Sequence, residues 1–419
     1  MESQPQPNMN DEKAGDYLEK IESHKASLWE GRSVLRGRLD IELTERCSNN
    51  CIHCYVNLPA NDRSAREREL STQRIKEILE EAASLNYMKV RFTGGEPLLR
   101  EDFEELYIFA RRLGLKVTLF TNATFITPHL AELFTRIPPL ANVGITVYGM
   151  SRRSYEAVTR TPGSFEAAWR GINLLLEKQV SFTVKGALLP PNKGELEQFE
   201  AWASTIPWMD SPPPQTIFFD LRGRRDSDVK DRLIKGLRLS IQEEMKILTR
   251  GPEAYLKGKR EFCSRFIRPP GDVLFSCGSG LDSICIDAYG YVQPCMLLRH
   301  PDVVYDLSNG SLKDALTDFF PKIRKMKATN PDYLARCAHC FLKGLCEQCP
   351  AKSWMEHGTL DTPVEYCCEI AHEQARYLRM LEDGEKAWEV KNWRERIKNI
   401  PETEAERRNM SGKSKLKST

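Results

Sequence analysis

The sequence predicts an α/β protein with a parallel sheet, followed by a cysteine-rich C-terminal region. From residue 39 to about residue 220, strand-like segments alternate with amphipathic helical segments. Three cysteines follow the first strand at positions 47, 51 and 54, and nine more lie between residues 277 and 368. Alternating strands and helices imply right-handed crossovers, and six such units are too few for a closed eight-stranded barrel. We therefore expect a partial (β/α)6 TIM-like barrel with a C-terminal cysteine-rich domain.

The predicted elements follow one another in the order expected for such a barrel. Helices are predicted from Ser71 through Leu79, over Glu101–Leu113 with Gly114 as the C-cap, over Ser164–Lys178 and over Gly194–Thr205. The predicted strands are Leu39–Thr44, Lys89–Thr93, Lys116–Thr121, Asn142–Val147, Ser181–Leu188 and Thr216–Phe219.

Composition divides the chain into five segments. Residues 1–38 form a polar, partly disordered extension with a short helix over 17–29, and residues 39–220 form the barrel. Residues 221–276 form a bridge with helices over 228–250 and 252–266, and residues 277–370 form the cysteine-rich domain. Residues 371–419 contain helices, with Gly384 as a C-cap, and a charged tail.

Charge and hydropathy exclude several classes of protein. Lys and Arg number 61 and Asp and Glu number 59, so no strong field indicates nucleic acid or an acidic membrane surface. The N-terminus does not resemble a signal peptide, and no run approaches the roughly 18 apolar residues of a membrane span. We therefore expect a cytoplasmic protein. In a reducing compartment the 13 cysteines are expected as metal ligands or thiols rather than disulfides.

The CxxxCxxC loop, Cys47, Cys51 and Cys54, is the central candidate site. Thiolate is the soft ligand of iron–sulfur clusters, so three thiolates on one loop can hold three irons of a four-iron cluster. The fourth iron then keeps an open position for chemistry. The alternatives are a zinc site and a buried cysteine cluster.

This loop resembles the signature of the radical S-adenosylmethionine (SAM) superfamily. The sequence Gly94-Gly95-Glu96-Pro97 at the end of the next strand strengthens the resemblance. In that family the open iron binds the amino and carboxylate groups of SAM, and the GGEP element contacts the amino group. The resemblance implies reductive cleavage of SAM to a 5′-deoxyadenosyl radical that removes hydrogen from a substrate.

The resemblance also implies further SAM contacts. Tyr55 follows the last cysteine of the loop, and Thr121 and Asn122 lie at the rim of the third strand. Arg160 resembles an arginine that pairs with the SAM carboxylate, and Leu188 belongs to the strand expected over the adenine. An ordinary asparagine turn and a surface arginine are the alternatives for Asn122 and Arg160.

The C-terminal cysteines resemble the SPASM extension of radical SAM enzymes that modify peptides. That resemblance implies two auxiliary 4Fe–4S clusters, although the final spacing, Cys346 to Cys349, is one residue shorter than the family pattern. A pair of zinc ribbons is the alternative. Cys263, outside the pattern, is expected as a buried thiol. The first cluster is assigned to Cys277, Cys285, Cys295 and Cys349, and the second to Cys337, Cys340, Cys346 and either Cys367 or Cys368.

The function implied is oxidation or cross-linking of a ribosomally made peptide. A sulfatase-maturase-like oxidation and modification of a tetrapyrrole or another small molecule are the alternatives within the family. Expected partners are a peptide or protein substrate and a flavodoxin- or ferredoxin-type reductant, with a separate protein that binds the leader peptide as a further candidate. Outside the radical SAM family, the alternative is a zinc-binding scaffold without catalysis. That alternative leaves the GGEP element unexplained.

Overall fold

The structure is a computed structural model that describes residues 36–56, 58–209, 216–217, 227–267, 269–281, 283–398 and 400–401. The predictions of a helix over 17–29 and of a charged tail after residue 401 lie outside these residues. In the described part, nine strands form one sheet in the order β11-β10-β9-β1-β4-β5-β6-β7-β8, and two form a separate pair. The strands are β1 Arg38–Thr44, β2 Arg46–Cys47, β3 Leu58–Pro59, β4 Lys89–Gly94, β5 Lys116–Thr121, β6 Leu140–Thr146, β7 Phe182–Ala187, β8 Thr216–Ile217, β9 Ser283–Ile286, β10 Tyr291–Gln293 and β11 Tyr305–Asp306.

Helices separate the strands of the barrel and continue through the C-terminal part. Short π-helical segments cover Ala315–Phe319 and Tyr333–Cys337. The α-helices are α1 Arg63–Arg68, α2 Thr72–Ser84, α3 Phe103–Arg112, α4 Pro128–Arg136, α5 Arg152–Thr159, α6 Ser164–Glu177, α7 Leu196–Ala203, α8 Asp228–Lys235, α9 Ile241–Leu248, α10 Pro252–Phe266, α11 Leu312–Asp314, α12 Phe320–Ile323, α13 Pro350–His357, α14 Glu365–Tyr377 and α15 Trp393–Lys398.

The predicted partial barrel is confirmed. Strands β1, β4, β5, β6, β7 and β8 pair in parallel with their neighbours, in chain order. The predicted bounds agree with the structure to within two residues at most strand ends, because each strand combines a β-branched apolar run with a clear turn. Ser71 caps α2 as expected, since its side chain accepts a hydrogen bond from the Arg74 N–H.

The barrel sheet extends beyond the six predicted strands. Strand β9 pairs in parallel with β1, and β10 and β11 continue the sheet in antiparallel fashion. A hairpin joins β9 to β10, with Gly290 at φ +94° in its turn. Its attachment to β1 was not predicted. One hydrophobic core consequently includes both Leu39 of the barrel and Val292 of the hairpin, and it crosses the predicted boundary at residue 277.

Two predictions about helix ends need correction. The predicted helix over 228–250 consists of two helices, α8 and α9, separated by Gly236 through Ser240. Gly384 has a positive φ of +82°, but it does not cap the preceding helix, since α14 already ends at Tyr377. Ser240 begins α9, because its side chain and that of Glu243 form a capping box.

Candidate active site

The two glycines of the GGEP element are required by a close backbone approach at the C-terminal end of β1. A Cβ atom on Gly94 would lie 2.2 Å from the Thr44 carbonyl oxygen, and one on Gly95 would lie 2.2 Å from that of Arg46. Gly94 also adopts φ +133°, which side chains rarely allow. The Gly95 N–H donates to the Thr44 carbonyl at 2.7 Å. The glycines therefore hold the GGEP turn against the start of the cysteine loop.

Glu96 is fully buried and ties together the ends of β4 and β5. Its carboxylate accepts hydrogen bonds from the Leu98 N–H at 3.1 Å, the Thr121 hydroxyl at 2.8 Å and the Asn122 N–H at 2.8 Å. Burial outweighs these bonds and raises the pKa of Glu96 to about 7. Its oxygens are thus already engaged by the protein, and the side chain does not line the cavity described below.

Asn122 lies beside the first cysteine of the loop. Its side-chain N–H₂ is 3.7 Å from the Cys47 sulfur and donates to the Ser48 hydroxyl at 3.2 Å. Its side-chain oxygen accepts from the Thr124 N–H at 2.9 Å and from the Thr124 hydroxyl at 2.6 Å. The Asn122 side chain, at the end of β5, thus points its N–H₂ group toward the Cys47 sulfur and uses its oxygen to stabilise the local turn.

A buried ion pair anchors the base of the cysteine loop. Arg46 donates to the two carboxylate oxygens of Glu69 at 2.8 and 3.0 Å, in the bidentate geometry that guanidinium and carboxylate favour. The Thr44 hydroxyl donates to the same carboxylate at 2.5 Å. Sequence reasoning did not identify this pair, because residues 23 positions apart in different elements leave no local pattern.

Arg160 and Leu188, predicted as SAM contacts, do not line the cavity described below. Arg160 has φ +52° at the end of α5, and its guanidinium donates to the backbone oxygen of Asn50 at 2.6 Å and to its side-chain oxygen at 2.7 Å. It therefore shapes the cysteine loop from outside. Leu188 is buried in a small apolar cluster with Leu196 and Leu239.

A cavity of about 190 Å³ lies where the strand ends meet the cysteine loop. All three loop cysteines line it, and so do the predicted contacts Tyr55, Gly94, Gly95, Thr121 and Asn122. In parallel barrels the C-terminal strand ends are where active sites form. Lining residues that sequence reasoning did not assign are Asn49, His53, Val56, Thr93, Phe120, Thr146, Tyr148, Lys185, Gly186, Ala187 and Met296.

Asn49 provides a direct test of whether this cavity suits a polar ligand. The residue is buried, and neither atom of its side-chain amide has a hydrogen-bond partner in the described structure. A buried amide without partners costs roughly 1–3 kcal/mol, so it is favoured where a ligand supplies the bonds. The donor and acceptor of Asn49, next to three soft thiols, fit a cluster together with a polar cofactor.

The thiols themselves are strongly desolvated. Burial, reinforced by the nearby Glu96 and Cys54, raises the pKa of Cys47 to about 12, and burial raises the pKa of Cys51 well above its usual value. Burial also lowers the pKa of His53 to about 4, so the ring is neutral at physiological pH. Thiols of this kind become thiolates when a metal supplies the positive charge.

The hairpin thiol group consists of Cys277, Cys285, Cys295 and Cys349. Cys285 lies in β9 opposite Gln293 of β10, and Cys295 follows two residues after Gln293. The backbone oxygen of Cys277 accepts a hydrogen bond from Arg324 at 2.7 Å. Burial raises the pKa of Cys349, and the proximity of Cys277 adds to this. Pairing of β9 with β10 therefore brings Cys285 and Cys295 to the same end of the hairpin.

The distal thiol group consists of Cys337, Cys340, Cys346 and Cys368. These four residues line a common cavity of about 30 Å³. Cys367 does not line it, and its backbone oxygen lies 3.4 Å from the Cys346 sulfur. The structure thus favours Cys368 over Cys367 as the fourth member. Cys263 lies in the apolar cluster behind this group, as a buried thiol.

Within the described ranges, no set of three His, Cys, Asp or Glu side chains lies close enough together to hold a single metal ion. No helix in the same ranges is long and apolar enough to cross a bilayer.

Comparison with known proteins agrees with this architecture. Residues 41–203 match the model of the Radical SAM superfamily. The chain is 24% identical over 344 residues to the AdoMet-dependent heme synthase of Methanosarcina barkeri, covering 78% of this chain and 94% of that protein. It is 28% identical over 339 residues to the mycofactocin maturase MftC of Mycolicibacterium smegmatis, covering 78% and 81%. The structure of anSMEcpe with bound AdoMet and Cp18Cys peptide has the same fold, with a TM-score of 0.54 and 16% identity over 81% of this chain and 96% of that one.

The parallel barrel and the thiol-lined cavity at its strand ends are typical of an iron–sulfur enzyme built on a parallel β/α barrel. More particularly, residues 41–203 are a Radical SAM domain, the domain of enzymes that carry out radical chemistry with SAM. Enzymes of this family use a 4Fe–4S cluster and SAM, so the scaffold without catalysis is excluded.

Proposed function

We propose that this enzyme oxidises or cross-links a ribosomally made peptide by radical chemistry. The observation that carries the proposal is the convergence of Cys47, Cys51 and Cys54 with the unpartnered Asn49 amide on one cavity. The three thiols would hold a cluster with one open iron. A cluster held there would supply the electron for reductive cleavage of SAM and so the radical chemistry that removes hydrogen from the substrate.

In this proposal the surrounding residues orient the loop and exclude water. Asn122 donates toward the Cys47 sulfur, and Glu96 fixes the turn that carries Asn122. Arg160 holds the other side of the loop through Asn50. The cavity-lining residues Tyr55, Gly94, Gly95 and Thr121 are proposed to contact SAM.

The hairpin and distal thiol groups are proposed to hold two auxiliary clusters. Each contains four cysteines, so each can ligate all irons of a 4Fe–4S cluster. A fully ligated cluster has no open iron for a substrate or SAM to bind, so its role would be electron transfer. The two groups would accept or relay the electron left on the substrate after hydrogen removal. The electron donor is proposed to be a flavodoxin- or ferredoxin-type protein.

Two findings support a peptide substrate. One relative, covered over 81% of its length, is named a maturase, and a protein with the same fold has been solved with a peptide bound. A tetrapyrrole substrate is the second candidate, favoured by the match over 94% of a heme synthase. A separate leader-binding protein remains part of the peptide proposal.

Anaerobic turnover tests the proposal. The reconstituted enzyme is incubated with SAM and dithionite, together with either any short peptide whose coding sequence adjoins that of the enzyme or iron coproporphyrin III. We expect 5′-deoxyadenosine and a peptide lighter by about 2 Da for each pair of hydrogens removed. An unchanged peptide alongside consumed porphyrin would assign the enzyme to tetrapyrrole chemistry.

The Cys51→Ala variant is the matched control. It is expected to retain the fold and lose 5′-deoxyadenosine formation, because the loop then has only two thiolates for the cluster. Cleavage of SAM at the wild-type rate in this variant would remove the assignment of the catalytic loop.

A further inference from the structure

We propose that Arg336, acting on a Cys368 residue that His372 holds in place, raises the reduction potential of a cluster held by the distal thiol group. This inference rests on the proposed auxiliary role of that group. It assigns a task to two side chains that are not themselves ligands.

Arg336 is held beside the Cys368 sulfur by several partners. Its Nη2 atom donates to that sulfur at 3.6 Å, while Nη1 and Nη2 donate to the Glu365 carboxylate at 2.8 and 3.0 Å. Its guanidinium carbon lies 4.9 Å from the centre of the Trp388 ring. A charged donor fixed by a carboxylate and an aromatic face has little freedom to leave the sulfur.

His372 holds the backbone of Cys368, and its hydrogen bonds define which nitrogen carries the proton. Its Nε2 atom accepts from the Ala387 N–H at 3.2 Å, so the proton of the neutral ring is on Nδ1. Nδ1 donates to the Cys368 carbonyl at 2.8 Å and lies 3.6 Å from the Cys368 sulfur. The ring also packs edge-on against Trp388, with ring centres 5.4 Å apart.

The arrangement is specific to one member of the group. In the described structure, Cys340 and Cys346 receive backbone N–H donors, from Leu342 and Gln348 respectively. Cys368 is the member of the group, among the residues described, whose sulfur accepts from a charged side-chain donor. Its surroundings therefore contain a fixed positive charge that substitution can remove without touching a ligand.

Charge and hydrogen bonds at a cluster sulfur favour the reduced state. Each reduction adds one electron to the cluster, and donors to the sulfur stabilise that added negative charge. A higher potential makes the distal group a better electron acceptor. Cys368 and Arg336 also line an open cleft of about 350 Å³, so this sulfur is the side of the group that faces solvent.

The test compares Arg336→Gln with Arg376→Gln. Arg376 lines the same cleft and pairs with Glu373 at 2.6 Å. Among the described residues, it donates no hydrogen bond to a cysteine sulfur. Full-length protein is reconstituted anaerobically and titrated with dithionite while its EPR signals are followed. The signal that disappears in Cys368→Ser identifies the distal cluster.

We expect the potential of that signal to shift to a more negative value in Arg336→Gln and to stay unchanged in Arg376→Gln. Arg336→Lys, which retains the charge without the planar fork, is expected to shift it less. It also serves as the test if Arg336→Gln loses iron. An unchanged potential in both Arg336 variants, or an equal shift in Arg376→Gln, would overturn the inference.

Iron content separates this failure from that of the proposed function. A wild-type enzyme with about twelve irons per chain and an unchanged potential would contradict the inference alone. Iron sufficient for only the Cys47, Cys51 and Cys54 loop would contradict the proposed auxiliary clusters, and the inference with them, but not the proposed reaction at that loop.

Discussion

Two adjacent cysteines show how a single residue's direction decides its role. Consecutive residues of an α-helix point about 100° apart, so Cys367 and Cys368 of α14 cannot face the same space. Cys368 faces the distal cavity, whereas Cys367 is buried on the adjoining side. The pattern of cysteine spacing could not distinguish them, because either spacing permits a ligand.

We expect Cys368→Ser to lose about four irons per chain and Cys367→Ser to retain them. The physical reason is that only the first removes a thiolate from the distal thiol group. Iron and sulfide analysis of the two anaerobically purified variants provides the measurement. Equal loss in both would contradict the assignment of Cys368.

A buried carboxylate provides a second prediction at this scale. Glu244 accepts a hydrogen bond from the Tyr366 hydroxyl, and its other oxygen has no partner in the described structure. Burial raises the pKa of Glu244 to about 7. Below the pKa that Glu244 has in the unfolded chain, the carboxyl group is protonated in both states. Between that pKa and about pH 7, the folded state keeps the proton and the unfolded state loses it. Stability is therefore lost as pH rises through about 7.

Glu244→Gln keeps the acceptor for Tyr366 and removes the charge. We expect the variant to exceed the wild type in stability by roughly 1–3 kcal/mol at pH 8 and to match it near pH 4. Denaturant melts of the metal-free protein at both pH values give the difference. A variant whose advantage is the same at both pH values would contradict the role of ionisation.

At the scale of elements, the end of β1 and the end of β4 are built as one unit. The two backbones approach so closely that only glycine fits at positions 94 and 95, and the cysteine loop begins within that contact. The sequence predicts that the GGEP element contacts SAM, and this contact stays a prediction. In the structure, the two glycines are needed because the backbone that follows β1 passes so close to them.

Gly95→Ala is expected to destabilise the protein by about 3 kcal/mol and to lower the iron held by the catalytic loop. The added methyl would overlap the Arg46 carbonyl, so the loop must shift away from β4. Gly194→Ala is the control, since a Cβ there meets nothing within 4 Å. Unfolding free energy and iron content are measured for both, and a normal iron content in a Gly95→Ala protein would be the contrary result.

At the scale of the whole molecule, the C-terminal region completes the barrel rather than forming a separate appendage. Strand β9 covers the edge of β1, and Ile284 and Ile286 join the same hydrophobic core as Leu39 and Ile41. Arg299 extends the contact by pairing with Glu45 at 2.7 Å and with Asp287 at 3.2 Å. Residue 277 therefore marks the start of the cysteine motif, but the hydrophobic core continues across it.

A chain truncated after residue 276 is expected to lose cooperative unfolding and to aggregate. The physical reason is that the β1 edge and its apolar contacts would then be exposed. The measurement is soluble yield and thermal unfolding of the truncated chain beside the full-length protein. A soluble fragment with a sharp transition would show that the barrel is an independent folding unit.

The sequence by itself determined the class of enzyme, the parallel barrel and the cysteines available as ligands. Those properties depend on local periodicity and on motifs of a few residues, which a linear sequence records directly. The tertiary structure alone decided that β9 joins β1, that Glu96 and Arg160 bond to the protein itself, and that Cys368 rather than Cys367 faces the distal cavity. These depend on contacts between residues far apart in the chain, and on side-chain directions that spacing leaves open.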